Sequence, residues 1–176
     1  YQFLAATKAS AQPMTAEERI AAYEKELEKD PQEAQAHFNL GLLYAGRDEM
    51  DKALSHFEEV PETYGEYAKA LKFRGHILSK NEKYEEAAEL YGKALEKTPE
   101  DGNVFFNLAW VEERLGKTKE AIEHYVRAGE LGEDEAFFNL GLIYETQSRL
   151  DHALDAYIEA ADARPDEPRI LMAIAD

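Results

Sequence analysis

A nine-residue stretch of this chain returns almost unchanged a hundred residues further on. AHFNLGLLY occupies residues 36–44 and AFFNLGLIY occupies 136–144, with the related NVFFNLAWVE between them at 103–112. Such internal repetition is the first feature to explain, because in repeat architectures each short unit contacts only its neighbours and buries its apolar face by stacking on them. The sequence therefore predicts an array of similar units.

The spacing of small and aromatic residues defines how many units there are. Alanines recur after 34, 34 and 32 residues, and an aromatic residue follows each of them four positions later. The pairs are Ala53 and Phe57, Ala87 and Tyr91, Ala121 and Tyr125, and Ala153 and Tyr157. Four units are therefore predicted.

This pattern resembles the tetratricopeptide repeat, which has a bulky residue, Leu-Gly and Tyr on a first helix, and Ala, an aromatic residue and a second small residue on a second helix, with Pro at or after its end. The fourth unit matches almost completely, with Phe137, Leu140, Gly141, Tyr144, Ala153, Tyr157, Ala160 and Pro165. The second unit departs from the pattern at Arg74, where Leu is expected, and the third departs at Glu112, where Tyr is expected. The departures leave the register unchanged.

The resemblance implies an all-α fold, a right-handed α-solenoid of antiparallel helix pairs with about ten helices in total. It covers residues 15–176, after an N-terminal segment, residues 1–14, that is expected to be a linker or only partly ordered. The expected divisions are a half repeat at 15–31, full repeats at 34–65, 68–99, 102–132 and 134–165, and the start of a terminal helix at 168–176.

Local signals place several helix boundaries. A capping oxygen with an acid three residues later predicts helix starts at Thr15 with Glu18, Asp30 with Glu33, and Ser148 with Asp151. Pro31 is expected at the first position of a helix, where its missing amide proton costs nothing. Helix ends are predicted at Gly116 and Gly132, and near Glu59, ahead of Pro61.

Helical geometry divides the apolar residues of each first helix into two sets. At 100° per residue, Phe38 and Leu42 each lie about 160° around the helix from Leu40, but only about 40° from one another. Leu40, Gly41 and Tyr44 are expected to pack on the partner helix, so Phe38 and Leu42 are expected to point away from it. The resemblance implies that this second face lines a concave groove.

The candidate partner-binding residues follow from that division. In the second unit Lys69, Lys72, His76 and Lys80 replace the apolar stripe, and this basic cluster favours a partner segment with an acid between apolar anchors. The alternative is a solvated helix face paired with acids such as Glu66, and for the aromatic residues it is packing against the adjacent first helix. The complete predicted set is Phe38, Asn39, Leu42, Lys69, Lys72, His76, Lys80, Phe106, Asn107, Trp110, Phe138, Asn139 and Leu142.

Asparagine recurs one position before the repeated Leu, at Asn39, Asn107 and Asn139, whereas the second unit has Phe73 at this position. Such amides can pair with the backbone of an extended peptide whatever its sequence. The arrangement resembles the asparagine ladder of O-linked N-acetylglucosamine transferases, but Asn at this place also occurs in ordinary repeats of the family. The family's carboxylate clamp does not fit, because Glu135 and Asn139 stand where it requires a basic pair.

Several chemistries lack their residues in this sequence. A formal net charge of -17 argues against nucleic acid and anionic membranes as partners. The five histidines are not spaced as metal ligands, and cysteine is absent. We find no phosphate-binding glycine loop and no nucleophile elbow. No catalytic residue, metal or cofactor is therefore predicted.

The compartment is left open by the sequence. No apolar run reaches the roughly 18 residues needed to span a bilayer, so the chain is expected to be soluble, in the cytoplasm or the periplasm. The opening YQFLA is too short for a complete signal-peptide core. Since residues 5–12 have the composition of a linker, an upstream signal or anchor is expected to be missing.

The sequence favours a non-catalytic adaptor that holds a protein or peptide in its groove. Two alternatives remain at this point. The chain could be a scaffold subunit that packs through its open ends, residues 17–29 and 168–175, as a homo-oligomer or within a larger complex. It could also be the repeat portion of an enzyme whose catalytic domain lies elsewhere.

Overall fold

The computed structural model describes residues 14–175, so the predicted N-terminal linker and any upstream signal lie outside the described residues except for Met14. Ten helices and no strand are found within this range. They are α1 (Ala16–Lys29), α2 (Ala34–Gly46), α3 (Met50–Glu58), α4 (Tyr67–Lys80), α5 (Tyr84–Lys97), α6 (Gly102–Arg114), α7 (Thr118–Glu130), α8 (Ala136–Thr146), α9 (Leu150–Ala163) and α10 (Pro168–Ala175). The predicted all-α fold of helix pairs is confirmed.

The described residues form two compact units, residues 14–60 and 61–175. In the first unit α1 packs on α2 and α2 packs on α3. In the second unit the pairs are α4 with α5, α6 with α7 and α8 with α9, and each pair packs on the next through α5 with α6 and α7 with α8. Helix α10 then packs on α9. Each unit is therefore held together by contacts between consecutive helices.

Helix α1 begins with the predicted capping box. The backbone amide of Glu18 donates to Oγ1 of Thr15 at 3.2 Å, and the amide of Thr15 donates to Oε2 of Glu18 at 2.8 Å. These two bonds satisfy amides that have no partner inside the helix. The first turn is fixed by local sequence alone.

Two other predicted helix starts are wrong. Helix α2 begins at Ala34, so Pro31 lies in the preceding turn, and Oδ1 of Asp30 accepts from the amide of Gln32. Before α9, Ser148 has a φ of 58° and Arg149 takes the N-cap position without a side-chain hydrogen bond. The tight turn between the paired helices requires a left-handed residue there, which prevents Ser148 from acting as the cap.

The two predicted glycine stops are confirmed. Gly116, with a φ of 72°, follows the end of α6, and Gly132, with a φ of 90°, follows the end of α7. Helix α3 ends at Glu58, ahead of Pro61, as expected. Left-handed residues after a helix allow the chain to reverse within two or three positions, so consecutive helices are brought side by side.

Paired helices approach closely where a ring crosses a glycine. A Cβ atom placed on Gly41 would lie 2.6 Å from Cε1 of Phe57, and one placed on Gly141 would lie 2.3 Å from Cε1 of Tyr157. Phe57 and Tyr157 are almost fully buried. The glycine thus provides the space into which the aromatic residue of the second helix inserts.

A pair of histidines, His37 buried and His56 half-buried, joins α2 and α3 in the first unit. Nδ1 of His37 lies 3.2 Å from Nδ1 of His56, while Nε2 of His37 lies 3.0 Å from the carbonyl oxygen of Pro31. The carbonyl can only accept, so Nε2 of His37 carries a proton, and Nδ1 of His37 accepts from His56 when the His37 ring is neutral. The His56 ring also stacks on Tyr44.

We expect acid to loosen the first unit through His56. Burial, and then the neighbouring His37, lower the pKa of His56. Its neutral form is therefore favoured by folding, so its contribution to stability is complete above the unfolded pKa of about 6.5 and is lost as pH falls through the lower folded pKa. Hydrogen exchange of the α2 and α3 amides, corrected for the intrinsic rate, should accelerate between pH 7.5 and 5.5.

The matched variants are His56→Phe and His152→Phe, the second at an exposed position of α9. His56→Phe should remove most of this acid dependence, and His152→Phe should retain it. Equal acid dependence in the wild type and in His56→Phe would show that the histidine pair does not set it.

Candidate partner-binding surface

Phe38 corrects the predicted division of the first helix into two opposite faces. Its side chain is only 7% exposed, and its ring packs edge-on against Phe57 of α3 at 5.9 Å. The prediction that Phe38 points away from the partner helix is wrong, because the Phe57 ring passes over Gly41 and reaches around the first helix. Phe38 is therefore part of the core of the first unit, whereas Asn39 and Leu42 are half-buried.

In the second unit, tyrosine rings of the second helices also contact phenylalanines of the first helices, but these phenylalanines are more exposed than Phe38. Phe106 packs against Tyr125 at 5.6 Å, and Phe138 packs against Tyr157 at 5.6 Å. Both phenylalanines remain half-buried. Each is thus oriented by a buried tyrosine ring of the second helix while part of its own ring stays accessible.

Trp110 lies on α6 one helical turn after Phe106 and is also half-buried. Its ring meets Tyr84, the first residue of α5, in an edge-on contact at 5.9 Å. The guanidinium of Arg114 lies 4.9 Å from the centre of the ring. A large aromatic side chain that is held on two sides and still partly open is typical of residues that anchor a partner.

The predicted basic cluster on α4 is partly neutralised by acids. Nζ of Lys72 lies 3.0 Å from Oδ2 of Asp101, and the two side chains are 25% and 26% exposed. Asp101 also accepts from the amide of Val104 at the start of α6, so the ion pair joins α4 to the next first helix. Lys69 forms an exposed ion pair with Glu66.

Lys80 and His76 are exposed on the same side of α4. Lys80 forms no ion pair within residues 14–175. Partial desolvation of the ring, and then the charge of Lys80, lower the pKa of His76. Near neutral pH the available positive charge on this side of α4 is therefore that of Lys80, with Lys69 available if its exposed ion pair opens.

One asparagine of the predicted ladder already has a partner in the second unit. Nδ2 of Asn107 donates to the carbonyl oxygen of Asn103 at 2.7 Å, one turn earlier in the helix. Burial raises the pKa of Tyr125, and the nearby amide of Asn139 acts in the opposite direction. Both amides are half-buried. A ladder on a peptide backbone would require Asn107 to exchange an internal hydrogen bond for one to the guest.

Residues near α8 complete the surface. Leu142 is 41% exposed, and the guanidinium of Arg169 lies 5.2 Å from the centre of the Phe138 ring. Helices α4 and α6 contact one another directly. We define the first-helix surface as the accessible side of α4, α6 and α8, which carries Lys69, His76, Lys80, Phe106, Trp110, Phe138 and Leu142.

A tyrosine–glutamate pair in two of the repeats was not predicted from the sequence. The Tyr125 hydroxyl donates to Oε2 of Glu113 at 3.3 Å, and the Tyr157 hydroxyl donates to Oε2 of Glu145 at 2.7 Å. Burial raises the pKa of both tyrosines, and the adjacent carboxylates raise it further. The signal was available, because each glutamate lies twelve residues before its tyrosine, whereas Ala45 holds that place before Phe57.

Glu112 also has a role that the departure from the repeat pattern did not indicate. It is 7% exposed, and its Oε2 lies 2.6 Å from Nδ1 of His124 on α7. This contact replaces the packing that Tyr44 provides in the first unit and joins α6 to α7. The departure is therefore compensated by a hydrogen bond within the same helix pair.

Metal-ligand clusters and membrane-spanning helices are not found in the part of the chain that the structure describes. Among residues 14–175 no three or more acidic or histidine side chains converge as a metal site would require. In the same range, none of the helices has the length and apolar character that crossing a membrane would require.

The sequence of the chain matches a known protein family. The tetratricopeptide repeat profile matches residues 20–70, 74–135 and 126–168. A TPR repeat-containing protein of Methanocaldococcus jannaschii is 27% identical over 151 residues, an alignment that covers 61% of this chain. The chain spans only 27% of that relative's length.

Solved structures of repeat proteins share the fold. The crystal structure of MamA superposes with a TM-score of 0.80 at 20% identity, covering 88% of this chain and 91% of that one. YrrB, described as a TPR protein with an unusual peptide-binding site, superposes with a TM-score of 0.79 at 25% identity, covering 92% of this chain and 84% of its own.

Proposed function

The chain belongs to the tetratricopeptide repeat family, and on this premise we propose that it is an adaptor that holds a segment of a partner protein on the first-helix surface. Proteins with this fold are generally non-catalytic modules for protein interaction. The main support for the proposal is that Phe106 and Trp110 are partly exposed to solvent, whereas Phe38 is buried. A partner would cover this apolar area.

The guest that fits this surface is a peptide with apolar anchors and one acid. Phe106 and Trp110 offer aromatic area for an apolar side chain. The Arg114 guanidinium lies 4.9 Å from the centre of the Trp110 ring, so a positive charge lies beside the aromatic area. Because YrrB is described as having a peptide-binding site, we expect the bound partner to be a peptide segment. Affinity in the micromolar range corresponds to about 8 kcal/mol.

The first-helix surface is preorganised for binding. Tyr125 and Tyr157 fix the rings of Phe106 and Phe138 from beneath, and Glu113 and Glu145 fix the two tyrosines in turn. Side chains whose rotamers are already restricted lose less entropy on binding. The repeats therefore supply orientation as well as apolar area.

Site-specific photocrosslinking in the source cell tests this proposal. A benzoylphenylalanine at position 142, on the first-helix surface, should crosslink a discrete partner segment. The same group at position 93, exposed on α5, should not crosslink that segment. A weak complex is retained by this method because the covalent bond forms before washing. Adducts from position 93 alone, or the same adducts from both positions, would count against the first-helix surface.

A further inference from the structure

The outer side of the last full helix pair leaves an unusual amount of apolar area uncovered. Five of the seven large apolar side chains that are exposed within residues 14–175 lie in α9 and α10. They are Leu150 at 66%, Leu154 at 42%, Ile158 at 45%, Leu171 at 51% and Met172 at 67% exposed. Clustered exposed apolar side chains mark interaction sites more often than scattered ones do.

Three of these residues form a continuous stripe on α9. Leu150, Leu154 and Ile158 are spaced four residues apart, so they fall within about 80° of one another around the helix. Leu150 and Leu154 border a cavity of about 310 Å³, whose opposite wall is Ala173 and Ile174 of α10. The stripe thus leads into a groove between the two helices.

The charged side chains that α9 itself carries are all acidic. Helix α9 carries Asp151, Asp155, Glu159 and Asp162 and no lysine or arginine, unlike α3, α5 and α7, which each carry at least one basic residue. None of these four carboxylates forms an ion pair within residues 14–175. Asp151 and Asp155 lie next to the stripe around the helix, and Asp151 lines the groove.

Another acid lines the groove in a fixed position. Glu145 lines the groove from the end of α8, and its Oε2 accepts the hydroxyl proton of Tyr157 at 2.7 Å. Tyr157 is 2% exposed, so its ring cannot move freely. The groove therefore contains a carboxylate held in place by the core, in addition to that of Asp151.

We propose that Leu150, Leu154 and Ile158, with the α9–α10 groove, form a second docking surface that takes an amphipathic helix carrying Lys or Arg beside its apolar stripe. Apolar residues at i and i+4 of the guest would contact the leucines, and its basic residues would meet Asp151, Asp155 and Glu145. A second copy of this chain is disfavoured as the occupant, because an isologous contact would place acidic borders against each other.

The test uses a fluorescein-labelled helical peptide with leucine at every fourth position and lysines beside the leucines. Its control is a peptide of identical composition with the leucines scattered around the helix. Anisotropy with the whole chain should show saturable binding of the first peptide and at least about tenfold weaker binding of the second, since both have the same charge. Added salt should weaken binding.

Variants locate the bound peptide. Leu154→Ser with Ile158→Ser changes only exposed side chains, so the fold should persist, and binding should weaken at least tenfold. Asp151→Asn with Asp155→Asn should also weaken it and reduce its salt dependence. Leu142→Ser, on the first-helix surface, should leave it unchanged.

Several results would overturn this second surface. One is loss of peptide binding in Leu142→Ser or Trp110→Ala with normal binding in the Leu154 and Ile158 variant, which would place the peptide on the first-helix surface. Another is equal binding of both peptides. A third is a dimer in sedimentation that the Leu154 and Ile158 substitutions abolish, since a second copy would then be the occupant.

Discussion

We expect Gly141→Ala to lower the free energy of unfolding by about 1–3 kcal/mol, although alanine is the better helix former. The added methyl group would lie 2.3 Å from Cε1 and 2.5 Å from Cδ1 of Tyr157. That ring is buried and its hydroxyl is hydrogen-bonded to Glu145, so it has no free direction in which to move. Urea unfolding followed by circular dichroism measures the loss.

The matched control is Gly92→Ala in the interior of α5. A Cβ atom there would meet nothing within 4 Å, so only the helix-forming advantage of alanine remains, about 0.5–1 kcal/mol in favour of folding. The two glycine substitutions should therefore have opposite signs. Unfolding of Gly141→Ala at or above the wild-type urea concentration would contradict the close ring–glycine contact that joins α8 to α9.

The same contact shows how far the sequence predicts the fold. The repeat of Leu-Gly followed by an alanine and an aromatic residue predicts both the helix pairs and their order, because each pair depends on contacts between neighbours in the chain. The turn residues were less predictable. Ser148 has the composition of a cap but takes a left-handed conformation, since the closeness of α8 and α9 determines the turn geometry.

The site was predicted less completely because a helical wheel describes one helix at a time. It gives the angle between Phe38 and Leu40 correctly. It does not show that the Phe57 side chain of α3 extends across Gly41 and contacts Phe38. It also treats Lys72 as a free charge, whereas Asp101 reaches it from the following repeat. Contacts of these kinds depend on the distance between helices, which a single-helix pattern does not contain.

Phe106→Ala combined with Trp110→Ala should weaken partner binding by at least about 30-fold, the equivalent of about 2 kcal/mol, because large central aromatics dominate such interfaces. Helicity should persist, since both rings are only half-buried. The partner segment identified by crosslinking, titrated by calorimetry, provides the measurement. Loss of helicity together with binding would count against the interpretation.

Ile122→Ala is the matched control for the packing that these substitutions remove. Ile122 lies on α7, is also half-buried, and packs against the same hydrophobic cluster as Phe106 and Trp110. It does not belong to the first-helix surface. This variant should lose stability without losing affinity once the protein is kept well below its unfolding temperature.

We expect a partner segment to cover the accessible side of α6, and the fluorescence of Trp110 reports whether it does. Trp110 is the only tryptophan in the chain, so its emission reports this surface without labelling. Titration with a partner segment that lacks tryptophan should shift the emission to shorter wavelength and saturate at one segment per chain. If calorimetry detects binding of the segment and Trp110 emission does not change, the segment does not cover the accessible side of α6.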